Sequence, residues 1–228
     1  MKKDFRPLLA ITARAGSTRL PGKVLRPIYK STSMLEFLIY RLKRSYITSR
    51  LVLTTGTREE NDIIEEVGLK CDVPVIRGPE EDVLERVNLC LKSEKDVDII
   101  GRVTADNPLT DPKLIELQLE KMNSLEYDYS YCLECPTGMA ADLWTTECFK
   151  RMYNLATTSN HKEHINSWIW ENHEKNKILW FNPPEEFKGR DMSVTIDTES
   201  DYQHVKKIIE KSKDPIALST PEINRLYT

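Results

Sequence analysis

The sequence predicts an α/β fold in which a mostly parallel sheet is flanked by helices. Short apolar segments alternate with helical patterns through the first half of the 228 residues. Strands and helices that alternate at this spacing form right-handed β-α-β crossovers, which place successive strands parallel. Hydrophobic residues make up 39% of the chain, which is enough for a core. We therefore expect one domain over residues 1–228, with a small inserted subregion at about 132–184.

The first half carries four strand patterns, and each is followed by a helical pattern. Strands are predicted over 8–13, 50–55, 73–76 and 97–104, and helices over 33–42, 59–67, 81–91 and 111–122. Ser33 and Glu36 form a capping box at the start of the first helix. Asp111 and Pro112 supply an N-cap and a first-turn proline to the fourth helix, so Asp111 is interpreted as a cap.

The second half is less regular. Strands are predicted over 127–133, 178–181 and 193–196, and helices over 146–155, 161–172 and 198–211. All four tryptophans, Trp144, Trp168, Trp170 and Trp180, lie between residues 132 and 184. Aromatic residues concentrated there are typical of a subunit interface and equally of a local core beneath the inserted helices.

Charge and hydropathy argue against two classes of protein. The chain has 33 Lys and Arg against 36 Asp and Glu, whereas a generic nucleic-acid binder is basic overall. No stretch approaches the roughly 20 apolar residues of a membrane helix, and the apolar run at 8–11 is too short for a signal peptide. We therefore expect a cytoplasmic protein that binds no nucleic acid and does not insert into membranes.

The five cysteines are expected to be reduced thiols, since their number is odd and no export signal precedes them. Cys132 and Cys135 form a C-x-x-C, and His161 and His164 follow. The gap between these pairs is about twice the usual zinc-finger spacing. We therefore interpret the two cysteines as buried or half-buried thiols at a strand end.

The first predicted strand leads into a basic, glycine-containing loop. Its notable residues are Arg14, Gly16, Ser17, Arg19, Gly22 and Lys23. Glycines let backbone amides approach an anion closely, and three cations match a polyphosphate in charge. A P-loop is excluded because Val24 stands where that motif has Ser or Thr. A merely solvated basic loop would leave its position at a strand end unexplained, since open parallel sheets bind ligands there.

Two acids follow apolar segments of the same predicted sheet. Asp106 follows the strand over 97–104, and Asp197 follows the one over 193–196. Because Mg²⁺ is typically held by one or two carboxylates plus phosphate oxygens, these acids predict a magnesium site facing the basic loop. For either acid alone, a cap or turn role is as good an interpretation. No side chain has the partners of an activated nucleophile, which favours direct attack of an acceptor oxygen on phosphorus.

The segment ARAGSTRLPGK at 13–23 closely resembles the nucleotide loop of the cytidylyltransferases that make CMP-sugar acids. These are the CMP-Kdo and CMP-acylneuraminate synthetases, and the SpsF-type branch is the most similar. Further segments resemble motifs of that branch in the same order. They are RGPEEDVLER at 77–86, TADNPL at 104–109, KEHI at 162–165, and TIDT at 195–198 with Asp201.

The resemblance implies a Rossmann-like nucleotidyltransferase fold, CTP as donor, Mg²⁺ as cofactor and a homodimer. It implies that Asp106 and Asp197 bind the metal and that Arg77 lies near the cytosine. The nucleotide-binding residues that it implies are Ala13, Arg14, Gly16, Ser17, Arg19, Lys23, Arg77 and Asp106. The catalytic residues that it implies are Arg14, Lys23, Asp106 and Asp197.

The expected reaction transfers CMP from CTP to an acidic, Kdo- or nonulosonate-like sugar for cell-surface polysaccharide synthesis, with release of pyrophosphate. The chain departs from the branch at 138–142, where Ala140 lacks the first of two usual carboxylates. That segment and His164 are candidates for the acceptor side, and His164 is equally well a structural histidine. Two alternatives stay open: a phosphonate or polyol phosphate acceptor, and a catalytically silent nucleotide-binding subunit.

Overall fold

The computed structural model describes residues 6–17, 19–46, 50–122 and 126–227, so Thr18 of the basic loop lies outside the described residues. The strands are β1 (Pro7–Thr12), β2 (Pro27–Tyr29), β3 (Thr32–Ser33), β4 (Leu51–Gly56), β5 (Val75–Gly78), β6 (Ile99–Thr104), β7 (Tyr129–Cys132), β8 (Asp142–Thr145) and β9 (Ile178–Phe181). The α-helices are α1 (Met34–Leu42), α2 (Asp62–Lys70), α3 (Val83–Ser93), α4 (Pro112–Met122), α5 (Thr146–Leu155), α6 (Ser159–Glu163), α7 (Asn166–Glu171), α8 (Glu199–Lys211) and α9 (Thr220–Leu226).

Seven strands form one sheet in the order β5-β4-β1-β6-β8-β7-β9. Neighbours pair in parallel from β5 to β6 and again between β7 and β9. β8 pairs antiparallel with both β6 and β7, and β2 and β3 make a separate short antiparallel pair. The predicted fold class, a mostly parallel sheet flanked by helices, is confirmed. The segment 132–184 contributes β8 and β9 to this same sheet.

The central strand β1 is buried on both faces because helices cover each side of the sheet. Leu9 and Ile11 pack into a core with α1, α2 and α4. Leu8 and Ala10 point the opposite way, into a core with α3, α5 and α7. This alternation follows from the two-residue period of a strand. No helix of the described ranges is long and apolar enough to span a membrane.

The four tryptophans differ in burial, and only the local-core interpretation is seen directly, for two of them. Trp144 is fully buried and Trp168 nearly so, both in the core with α3 and α5. Trp180, on the edge strand β9, is 52% exposed and stacks on the half-buried Trp170, with ring centroids 5.7 Å apart. Exposed Tyr131 packs edge-on against both rings.

The predicted secondary structure is wrong at two places in the second half. The helix expected over 161–172 is broken into α6 and α7, because His164 has a non-helical backbone (φ −107°, ψ 74°). The segment 193–196 is not a strand and makes only an isolated bridge between Thr137 and Ser193. The sequence interpretation also missed β8, the β2–β3 pair and α9, since each is too short to show a clear period.

A buried junction, formed by Arg41, Asp111, Thr220 and the carbonyls around them, joins α1 to the start of α4 and to α9. The Asp111 carboxylate accepts hydrogen bonds from Lys113 N (2.9 Å), Thr220 N (2.8 Å) and Thr220 Oγ1 (2.6 Å). Nearby, Arg41 donates to the carbonyl oxygens of Leu109, Pro215, Ile216 and Leu218. The interpretation of Asp111 as a cap alone was therefore too narrow.

Candidate active site

A cleft of about 350 Å³ lies at the carboxyl ends of β1 and β6. From β1 the chain builds outward through β4 and β5, and it then returns to place β6 on the other side of β1. This is the switch point where open α/β sheets bind ligands. All predicted site residues except Arg77 line the cleft: Ala13, Arg14, Gly16, Ser17, Arg19, Lys23, Asp106 and Asp197. A larger cavity of about 1000 Å³ lies at the opposite edge of the sheet and contains none of them.

The loop after β1 is folded back on itself and anchored by a buried side chain. Ala15 N donates to Asn61 Oδ1 (2.9 Å), and Gly22 N donates to Ala15 O (3.2 Å). Gly22 adopts a left-handed conformation (φ 65°), which favours glycine over residues with a Cβ. The fold-back leaves Arg14 and Arg19 largely exposed at the cleft. A buried asparagine that holds the loop was not foreseen from the sequence.

Lys23 joins the two acids that were predicted as metal ligands. Its ammonium lies 3.0 Å from Asp106 Oδ2 and 2.9 Å from Asp197 Oδ1, and it also donates to Ile196 O (2.7 Å). The carboxylate oxygens therefore converge on one cation, and hard oxygen donors are the ligands that Mg²⁺ prefers. No cluster of three or more His, Cys, Asp or Glu within the described ranges could hold a metal. Asp106 and Asp197 are the two carboxylates that meet at Lys23, and Glu80, Glu81 and Glu163 line the cleft as well.

Hydrogen bonds of the backbone fix the positions of Asp106 and Asp197. Ile196 N donates to Asp106 O (2.9 Å), which ties the segment carrying Asp197 to the end of β6. Asp197 N donates to Asp201 Oδ2 (3.0 Å), and Asp201 completes a capping box with Thr198 at the start of α8. Burial raises the pKa of Asp201, but hydrogen bonds from Thr198 and the backbone outweigh this and lower it overall. Asp201 therefore fixes the backbone at Asp197.

Arg77, which the resemblance places near the cytosine, is not among the residues that line the cleft. Its guanidinium donates to Asp62 Oδ1 (2.6 Å), Gly56 O (3.0 Å) and Arg58 O (2.7 Å). The hydrogen bond to Asp62 is the main reason why the pKa of Arg77 is raised. These contacts hold the arginine between the end of β4 and the start of α2, and its place near the cytosine stays a prediction.

Arg86 and Glu80 line the cleft from the same segment, RGPEEDVLER. Arg86 is 3% exposed, and its Nε finds no acceptor among the described residues. Burial lowers the pKa of its guanidinium. Glu80 accepts hydrogen bonds from Asn61 Nδ2 (3.3 Å) and lies so close to Gly56 that a Cβ there would be 1.7 Å from its carboxylate. The motif at 77–86 contains Glu80 and Arg86, but the sequence did not indicate that both line the cleft, and the structure does.

An ion pair separates the cleft from a second cavity of about 240 Å³. Arg102, which lines the cleft, donates to Asp142 Oδ2 (2.7 Å from Nη2), and Asp142 lines the second cavity together with Gly138 and Ala140. Tyr129 also donates to Asp142 Oδ1 (2.6 Å), and burial raises its pKa well above the ordinary value. Segment 138–142 thus lies next to the cleft.

The two histidines that were considered have different environments. His164 is exposed and lines the cleft. His161 is buried, and its Nε2 lies 2.7 Å from Glu171 Oε2. Cys132 is buried and Cys135 half-buried, with each thiol directed at a backbone carbonyl. These surroundings match the interpretation of the cysteines as packed thiols at a strand end.

Comparison with known proteins assigns a family to this site. The profile of a cytidylyltransferase family matches residues 9–223. The spore coat polysaccharide biosynthesis protein SpsF of Bacillus subtilis is 32% identical over 221 residues, which are 95% of this chain and 91% of that protein. The 3-deoxy-manno-octulosonate cytidylyltransferase of Trichlorobacter lovleyi is 31% identical over 110 residues, which are 48% of this chain and 42% of that protein.

A solved structure extends the similarity to nearly the whole chain. A cytidylyltransferase from Leptospira borgpetersenii superposes with a TM-score of 0.89 at 29% identity, covering 97% of this chain and 93% of that one. The family match spans the basic loop, both metal-ligand candidates and the motifs between them. The chain therefore belongs to the cytidylyltransferases, in their SpsF-like branch, and is a CTP-dependent nucleotidyltransferase.

Proposed function

We propose that the protein transfers CMP from CTP to a hydroxyl group of an acidic sugar and releases pyrophosphate. The observation that carries the proposal is the arrangement of the cleft. Arg14, Arg19 and Lys23 lie on the loop after β1, and Asp106 and Asp197 meet at the ammonium of Lys23. Cations for a triphosphate and oxygen donors for its metal thus lie in one cleft.

The cations of the loop are suited to the donor's phosphates. Arg14 and Arg19 are about half and two-thirds exposed, so their guanidinium groups can turn to a ligand without unfolding the loop. Guanidinium groups bind phosphate oxygens in pairs of parallel hydrogen bonds. Three positive charges offset most of the negative charge of a nucleoside triphosphate.

Asp106 and Asp197 are the residues that would hold Mg²⁺. When bound, the ion supplies charge neutralisation at the α-phosphate and a template for the acceptor hydroxyl. The residues of this chain hold the reactants in line. The loop cations bind the phosphates, and the two carboxylates hold the α-phosphate end of the triphosphate through the metal ion. The acceptor oxygen then forms a bond to the α-phosphorus, and the bond from that phosphorus to the β-phosphate oxygen breaks. The electron pair leaves with pyrophosphate, and the hydroxyl proton is lost to solvent.

Glu80 and Arg86 provide the selection of cytosine. Cytosine has an amino group that donates, and a ring nitrogen and a carbonyl oxygen that accept, and a carboxylate with a guanidinium matches this pattern. The buried Nε of Arg86 lacks an acceptor within the described part of the chain, as expected for a donor that awaits a ligand. Uracil has a carbonyl where cytosine has the amino group, so it would meet the carboxylate of Glu80 with a second acceptor.

The acceptor is expected beside the Arg102–Asp142 pair. Arg102 is the cation that faces the cleft at the border of segment 138–142, and it can bind the carboxylate of an acidic sugar. The name of the Trichlorobacter relative specifies an acidic sugar, and that of SpsF specifies polysaccharide synthesis. We therefore place the product in the synthesis of a cell-surface polysaccharide, and the reaction in the cytoplasm where CTP is available.

We also propose a homodimer that covers the aromatic cluster of Tyr131, Trp170 and Trp180. Large aromatic side chains are enriched at subunit interfaces, and Trp180 stands on an edge strand with unpaired backbone groups. Light scattering at micromolar concentration should give twice the mass of the 26.5 kDa chain. Trp180→Asp should give a monomer, whereas a monomeric parent protein would rule out the dimer.

The reaction is tested by pyrophosphate release across the four nucleoside triphosphates. Each is combined with acidic sugars, a phosphonate and a polyol phosphate, and release is expected only for CTP with an acidic sugar. Glu80→Gln should raise the use of UTP relative to CTP, and Arg58→Gln, outside the cleft lining, is the matched control. Pyrophosphate release with a polyol phosphate but no acidic sugar would assign the acceptor to the polyol phosphates. No pyrophosphate release with any combination of nucleotide and acceptor would indicate a catalytically silent subunit.

A further inference from the structure

The ammonium of Lys23 has no free donor in this structure. Its three N–H groups are matched by three acceptors, namely Asp106 Oδ2, Asp197 Oδ1 and Ile196 O, all within 3.0 Å. The lysine side chain is 11% exposed, whereas the Asp106 and Asp197 side chains are 28% and 34% exposed at the cleft. The lysine is thus packed below the two carboxylates, and they remain open to the cleft.

The position of this ammonium conflicts with two of the roles expected at the site. A divalent cation held by Asp106 and Asp197 would compete with Lys23 for the same carboxylate oxygens, and like charges at close range repel. A phosphate oxygen can bind Lys23 only if the lysine gives up one of its present acceptors. Both conflicts are resolved at once if Lys23 turns from the carboxylates to the phosphates.

The local backbone allows this movement without a change of fold. Lys23 begins a short 3₁₀ turn, Lys23–Leu25, directly after the left-handed Gly22, so its Cα is held by the turn. The four-carbon stem beyond it is flexible, and the ammonium is a compact charge that can exchange acceptors. Arg19 reaches Asp197 Oδ1 at 3.0 Å but is 66% exposed and does not contact Asp106. It cannot replace the lysine between both acids.

We propose that Lys23 is a place-holder for the divalent cation. In the free protein its ammonium neutralises the two carboxylates and keeps them together, and so opposes binding of a metal ion. When a triphosphate binds, the lysine moves to the phosphates, and the carboxylates become available to the ion. Metal and nucleotide therefore bind cooperatively, and each increases the affinity for the other by the same factor. The inference rests on the proposed binding of a nucleoside triphosphate in this cleft.

The test measures Mn²⁺ binding to the full chain, by loss of the electron paramagnetic resonance signal of the free ion. Without nucleotide, Lys23→Met should bind Mn²⁺ at least about tenfold more tightly than the parent protein, within the usual range of coupling between sites. Lys23→Arg, which keeps the charge, should bind it as weakly as the parent. Arg14→Gln removes a cation from the same loop that contacts neither carboxylate, and it should leave the affinity unchanged.

The double variant Lys23→Met with Asp197→Asn tests where the ion binds. It should lack the increase in Mn²⁺ affinity that Lys23→Met alone shows. Addition of CTP should tighten Mn²⁺ binding to the parent protein but change that of Lys23→Met much less. Equal Mn²⁺ affinity of the parent and Lys23→Met without nucleotide would overturn the place-holder role, as would a gain that survives Asp197→Asn.

Failure of the place-holder role and failure of the proposed function give different results. If CTP and an acidic sugar release pyrophosphate but Mn²⁺ affinity does not depend on Lys23, only the place-holder role is overturned. If another triphosphate, but not CTP, tightens Mn²⁺ binding through Lys23, the place-holder role is supported and the cytidylyl donor is wrong.

Discussion

Two aspartates that follow β6 within five positions of each other show how differently the same side chain is used. Asp106 lies at the cleft, 28% of its side chain is exposed, and its partner is the ammonium of Lys23. Asp111 lies in the buried junction, is 3% exposed, and accepts hydrogen bonds from the backbone of α4 and from Thr220. A ligand can replace the partner of Asp106, whereas the partners of Asp111 belong to the fold.

The two cations beside these acids differ in the same way. Lys23 donates to two carboxylates that remain open to the cleft. Arg41 donates to four backbone carbonyls in the interior, where burial lowers its pKa to about 10. Exposure and the type of partner, rather than residue type or sequence distance, therefore separate the cleft from the buried junction. The following predictions test that separation.

The largest effect is expected for Arg41→Met. Methionine fills a similar volume but leaves four carbonyl oxygens without their donor and Asp111 without its nearby positive charge. Breaking such a buried polar group costs about 3–5 kcal/mol, which urea unfolding would show as a lower free energy of unfolding. The turnover of the protein that remains folded should be unchanged. A fall in turnover without a loss of stability would place Arg41 with the cleft instead.

Asp106→Asn and Asp197→Asn should show the opposite pattern. Each replaces a charged oxygen donor of the cation site by a neutral one, and we expect kcat to fall by about a hundredfold or more. Because these carboxylates are partly exposed, the free energy of unfolding should change by less than about 1 kcal/mol. Steady-state pyrophosphate release and urea unfolding measure the two quantities. Normal turnover of Asp197→Asn would contradict the assignment of the metal ligands.

Asp111→Asn should lower stability and leave turnover at the parent value. An asparagine amide would present N–H groups either to Thr220 or to Lys113 N, so at least one buried donor loses its acceptor. The expected cost is about 1–3 kcal/mol, more than the loss of an N-cap alone would give for this substitution. Asp111→Asn with parental stability would show that its contact with Thr220 contributes nothing.

The smallest effect concerns pH and the cap of α1, the helix that carries Arg41. Burial raises the pKa of Glu36, but hydrogen bonds from Lys70 and Ser33 outweigh this, so its folded-state pKa lies below the ordinary value. Its contribution to stability is therefore complete above the unfolded-state pKa and is lost as pH falls through the folded-state value. Glu36→Gln should lower the free energy of unfolding by about 1 kcal/mol at neutral pH. It should also make the free energy of unfolding fall less steeply as the pH is lowered. Urea unfolding across the acidic range measures both, and an unchanged slope would contradict the shift.

Local signals explain what could be predicted from the sequence. The capping box of Ser33 and Glu36 involves residues three positions apart, so its pattern is visible before any folding is known. The meeting of Lys23 and Asp106 could be anticipated because the carboxyl ends of the parallel strands β1 and β6 share one edge. Asp197 reaches the same place without a strand, because Ile196 N donates to Asp106 O. The contact between Asp111 and Thr220 joins distant segments, and no local pattern indicates it.

The directions of the side chains at the site depend on packing in the same way. The side chain of Arg77 turns to Asp62 on α2, and the packing of α2 beside β5 decides that direction. Arg86 lies only nine positions further on and faces the cleft because α3 presents it there. Motif similarity marks the segment that carries these arginines, but helix packing selects which one lines the cleft.

The reversed strand β8 has a consequence for how the substrates of such proteins diverge. Because β8 runs against its neighbours, its first residue, Asp142, lies beside the cleft, while Thr145 caps α5 at the far edge. The connection over 133–141 therefore begins and ends at the edge of the sheet where the cleft lies. Insertions or deletions in it reshape that wall while β6, with Asp106, keeps its place. If the acceptor binds beside Asp142, as proposed, a change in the length of this loop alters the acceptor site and leaves the loop after β1 unchanged.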